Sequence, residues 1–96
     1  MHIPDRLSVL GVESAIVLGT LDELDAAGTW RASDGRLCLA TDRPETQVAE
    51  TFLHEIIESL NYALELELKH PQIQALSSGL FGVMRCNGLD FGGERG

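Results

Sequence analysis

Residues 42–66 read DRPETQVAETFLHEIIESLNYALEL, and this stretch decides the fold. At about 100° per residue, Val48, Ala49, Phe52, Leu53, Ile56, Ile57, Leu60, Ala63 and Leu64 fill one half of a helical wheel. The spacing predicts an amphipathic helix running to about Leu66, with that half packed on a sheet or on another helix. Asp42 and Glu45 stand at capping-box spacing, and Pro44 suits a first turn, where its missing N–H costs nothing.

Downstream, Lys69-His70-Pro71 marks a boundary, because the residue before a proline avoids helical geometry and Pro71 can begin a new helix. Ile73, Leu76, Leu80, Val83 and Met84 then form a narrow apolar stripe on a second helix, ending near Asn87-Gly88. The stripe is read as core and not as a dimer face. Residues 91–96 read as a flexible tail, which leaves a single domain over residues 1–90.

Upstream, residues 7–18, LSVLGVESAIVL, read as extended, with Gly11 at a bend or bulge. Residues 19–28 form an acidic connection with room for one helical turn. Asp34-Gly35, flanked by TWRAS and RLCLA, predicts a hairpin with a type I′ turn and with Leu37 and Leu39 on one face. The fold class is therefore α+β: a small antiparallel sheet of three strands or so, followed by two packed helices.

The chain has 96 residues, with fifteen acidic side chains against seven basic ones and a net charge of −8. That balance argues against nucleic acid, whose phosphates need clustered Lys and Arg, and against anionic membrane surfaces. A cationic partner or a divalent metal suits it better. Cys38 and Cys86 match no metal-ligand spacing and read as small, reduced core residues. No basic-then-apolar leader opens the chain and no apolar run approaches a membrane span, so the expected location is cytoplasmic. His2 reads as a disordered terminal residue.

The chemistry concentrates in Leu53-His54-Glu55-Ile56-Ile57-Glu58. His54 and Glu58, four apart on a helix, project from one face one turn apart, and an imidazole nitrogen and a carboxylate oxygen at that spacing can hold one divalent metal. Glu55 sits about 100° further round, where it can reach a water at that metal and act as general base. This is the logic of His-Glu-x-x-His, with Glu58 in the second ligand position. A tetrahedral site needs a third protein ligand. His70 supplies one if the chain reverses before the second helix, and Glu65 is its rival. Asn61, on the same stripe, could act from behind the ligands. Asp22, Glu23 and Asp25 lack the spacing of a calcium loop and read as a solvated turn.

The run Thr51 to Glu58, then Leu60-Asn61, Leu68-Lys69-His70, Ile73-Gln74-Ala75-Leu76 and Gly79-Leu80-Phe81-Gly82-Val83-Met84, resembles small phage and prophage proteins. Those look like minimal zincin-type metallopeptidases, distantly similar to the ImmA/IrrE group. The resemblance is best over residues 42–87. It implies zinc held by His54, Glu58 and His70, Glu55 as the water-activating base, and a zincin-like core of sheet plus two helices. The sequence departs from the peptidase pattern at Glu58, where a carboxylate lowers the site's net positive charge. The expectation is a zinc-dependent peptidase or hydrolase acting on a protein or peptide. The alternative is an inactive zincin-like scaffold that binds a phage or host regulatory protein.

Overall fold

The computed structural model describes residues 3–89, so His2 and the tail at 91–96 lie outside the described residues. Seven elements follow one another: β1 (Arg6–Val9), β2 (Val12–Gly19), α1 (Leu21–Leu24), β3 (Gly28–Arg31), β4 (Arg36–Ala40), α2 (Glu45–Leu64) and α3 (His70–Cys86). The fold is α+β, with a sheet of four strands and two packed helices behind it.

Residues 7–18 are a hairpin and not one extended run. Val9 pairs with Val12, and the two residues between them, Leu10 and Gly11, both have positive φ, at 52° and 82°. These are the demands of a type I′ turn, met here by a Leu in place of the usual Asn or Asp. The expected type I′ turn at Asp34-Gly35 is instead part of a longer loop. Arg31 pairs with Arg36, Gly35 alone in that loop takes positive φ, and Asp34 Oδ1 accepts the Arg36 N–H at 3.2 Å.

The strand order is β1-β2-β4-β3. β2 and β4 run parallel, so the sheet is mixed and not purely antiparallel. Their connection contains α1 and β3, and β3 then pairs antiparallel with β4 alone, as a free edge. α1 is held by a reciprocal cap between Thr20 and Glu23, which is the role Glu23 plays within the acidic connection.

Leu37 and Leu39 project from one face of β4 and are wholly buried. They pack against Val48 and Phe52 of α2, with Leu7, Ile16, Trp30 and Ile56 around them. α2 is shorter than its periodicity suggests, ending at Leu64 with Glu65 in the left-handed conformation. Its expected capping box is absent: Asp42 Oδ1 accepts the Leu21 N–H at 3.0 Å and so ties α1 to the approach of α2.

α3 packs on α2 through a narrower stripe than its sequence suggests. Ile73 is buried and Met84 half-buried, but Leu76, Leu80 and Val83 remain 50, 44 and 56% exposed. Ser77, wholly buried, takes an inward position with its hydroxyl donating to the Gln74 carbonyl at 3.0 Å. The cysteines are both free; Cys38 is half-buried, while Cys86 is exposed and not part of the core. No described helix is long and apolar enough to cross a membrane.

Candidate metal centre

The buried side of α2 fixes where its polar residues point. With Phe52 packed on Leu37 and Leu39 of the sheet and Leu53 buried, His54 and Glu58 emerge together on one face of α2, each half-buried. The third residue arrives from beyond the helix. After Leu64 the chain reverses through Glu65 and Glu67, both in the left-handed conformation at φ 51° and 59°. Asn61 holds this reversal. Its Oδ1 accepts the Leu68 N–H at 2.9 Å, its Nδ2 donates to the Leu68 carbonyl at 3.4 Å, and its own carbonyl accepts the Leu66 N–H at 3.1 Å.

α3 then opens at His70, with Pro71 in its first turn and the Lys69 N–H donating to Gln72 Oε1 at 2.7 Å. This start sets the His70 ring beside that of His54, with centroids 5.1 Å apart and planes tilted by 58°. Further along the same contact, the Ser78 hydroxyl donates to the Glu50 carboxylate and joins α3 to α2.

His54, Glu58 and His70 each offer one ligand atom, and these atoms lie within 4.8 Å of one another. Ligand atoms 2.0–2.1 Å from a shared tetrahedral ion stand about 3.4 Å apart. Small side-chain rotations therefore close this set on a cation. Two imidazoles and one carboxylate also make a donor set of the kind that binds zinc with one position left free. The residues present fit such an ion in number, type and convergence. Glu65 is not in the set: it is exposed and caps the end of α2. Asn61 acts on the loop that delivers His70.

Glu55 lies between β3 and the candidate ligand Glu58, close enough to Glu58 to feel its charge. It is only 7% exposed, and burial, with the nearby Glu58 charge as the lesser cause, pushes its carboxyl up to about 7. It sits against Gly28 on the free edge strand. A Cβ at Gly28 would fall 2.7 Å from Thr51 Cγ2 and 3.3 Å from Glu55 Cγ. The missing side chain is what lets strand and helix approach there. Sequence reasoning placed Glu55 beside the ligands without reading its burial, and it gave Gly28 no part in the site. Its one available signal was a glycine at the start of a strand, which has many other meanings.

One turn beyond Glu58, Tyr62 meets Trp30 of β3 edge to face, with ring centroids 5.4 Å apart. The Trp30 indole N–H donates to the buried Ser14 hydroxyl at 3.4 Å. Ser59, 2% exposed, donates its hydroxyl to the Ile56 carbonyl at 2.7 Å.

No protein-family model matches the chain, and no curated protein or solved structure matches it.

Proposed function

We propose that the chain is a metal-dependent hydrolase acting on a protein or peptide, with zinc held by His54, Glu58 and His70. The observation that carries this reading is the convergence of three ligand atoms from two helices within 4.8 Å, beside a carboxyl on the same helix. The resemblance of residues 42–87 to small phage zincin-like proteins supports it from the sequence side. The proposed setting is cytoplasmic, where free thiols such as Cys38 and Cys86 stay reduced.

A zinc ion at this site supplies Lewis acidity for attack of water on a carbonyl. The protein's own part is proton handling and placement. Glu55, next to Glu58 and with its carboxyl raised toward neutrality, would be the group to take the attacking water's proton and return it to the leaving nitrogen as the amide bond breaks. His54 and Glu58 are fixed by the packing of α2, and His70 by the Asn61 clamp.

The test is Glu55→Gln. It should keep the bound metal and lose hydrolysis of a casein or peptide-library substrate by about 100-fold or more. Full activity in this variant would remove Glu55 from the mechanism.

One observation favours a non-catalytic reading. The triad joins α2 to the first residue of α3, so a metal there would staple the two helices of a scaffold whose acidic surface recruits a basic protein. On that reading His54→Ala lowers stability without changing partner binding, and no substrate is turned over.

A further inference from the structure

One helical turn along α2 from Glu58 opens a cavity of about 380 Å³, between β3, the β1–β2 hairpin and the second half of α2. Trp30 and Tyr62 form its aromatic wall, and Val9, Leu10 and Val12 its aliphatic one. No charged side chain lines it, in a chain with net charge −8. Its buried hydroxyls each have a partner within the protein: Ser14 accepts the Trp30 N–H, and Ser59 donates to the Ile56 carbonyl. The cavity therefore offers contact to apolar groups and gives a buried charge no opposite charge. Its volume lies at the lower end of the range for ligand sites, enough for one large side chain.

The position is as informative as the lining. Ser59, on the cavity wall, directly follows Glu58, and Tyr62 lies one turn, about 6 Å, further along α2. On β3, Gly28 touches Glu55 while Trp30, two residues on, reaches the cavity. Two residues of extended chain cover about 6.6 Å. A peptide held beside Glu58 thus has a neighbouring side chain at the cavity mouth, where Tyr62 stands on the same helix face one turn on. Leu10, Val12 and Tyr62, at 61, 64 and 65% exposure, make an apolar rim that loses water when the cavity fills.

We propose that this cavity is the specificity pocket of the hydrolase. It takes a large apolar side chain, aromatic or leucine, of a peptide substrate within about two residues of the scissile bond. The proposal rests on the hydrolase reading for the word substrate, but the binding it describes needs no metal.

Trp30 is the chain's single tryptophan, so its fluorescence reports occupancy directly. The probes are capped pentapeptides of alanine with Phe, Leu, Asp or Lys at the centre, titrated into chelator-treated full-length protein. The expected result is a saturable change for Phe and Leu, and affinity weaker by about ten-fold or more for Asp and Lys. It should persist in His54→Ala and be lost in Val12→Asp, which puts a charge on the exposed rim. A linear response, or equal affinity for all four peptides, would overturn the pocket. Saturable, selective binding by a chain that loads zinc and hydrolyses none of these peptides would uphold the pocket and sink the hydrolase reading instead.

Discussion

The Asn61 side chain is bonded to both backbone polar groups of Leu68, two residues before His70. A single amide thus closes the loop that carries a candidate metal ligand back to the helix it came from. Replacing it leaves the Leu68 N–H and carbonyl short of partners in a part-buried turn. Asn61→Ala should cost about 1–2 kcal/mol of stability and weaken zinc binding about ten-fold or more. Asn61→Asp, which keeps the acceptor for the Leu68 N–H, should recover part of both. Thermal unfolding and a chelator-competition titration check this, and unchanged zinc affinity in Asn61→Ala would remove the clamp from the site.

Glu55 gives the metal-free protein a pH signature. Its carboxyl is raised from 4.5 to about 7 in the folded state, so between those values the native state binds the proton that the unfolded chain has released. Stability contributed by the protonated form is fully present below about pH 4.5 and is lost as pH rises through about 7. The loss is on the order of 3 kcal/mol. Urea unfolding of chelator-treated protein at pH 5 and pH 8 should show it, and Glu55→Gln should flatten the dependence and be the more stable protein at pH 8.

Gly28 sets the spacing between β3 and α2. Gly28→Ala places a methyl 2.7 Å from Thr51 Cγ2, which forces strand and helix apart and should cost about 1–3 kcal/mol. Thr51→Ser removes the offending methyl, so Gly28→Ala with Thr51→Ser should recover most of the loss. Additive losses in this double-mutant cycle would show that the two residues are not coupled.

Much of the architecture was legible because it is local. The 3.6-residue rhythm of Val48 to Leu60 gave α2, Pro71 and Asn87-Gly88 bracketed α3, and the alternation of Leu37 and Leu39 gave the inner face of β4. His54, Glu58 and His70 were visible as a set because the first two share a helix face and a reversal can return the third. What escaped was set by contacts distant in sequence. The parallel pairing of β2 with β4 spans the whole of α1 and β3, and no local pattern encodes it. The Leu10-Gly11 turn lacked the usual first residue. Asp42 had capping-box spacing but found the Leu21 N–H, twenty-one residues away. The stripe of α3 was apolar enough for core, yet Ile73 and Ser77 take its buried side and Leu76, Leu80 and Val83 stay half exposed. Glu55 was legible as a neighbour of the ligands, but its burial depends on β3, which approaches α2 through Gly28.

The central claim is that His54, Glu58 and His70 hold one metal ion. Elemental analysis of protein purified without chelator or affinity metal, and then dialysed against zinc, tests it most directly. About one zinc per chain is expected in the wild type, on the three protein ligands of a catalytic site. It should be lost in both His54→Ala and His70→Ala and kept in Glu65→Ala. No bound zinc in a folded wild-type chain, or full occupancy in the two histidine variants, would contradict it.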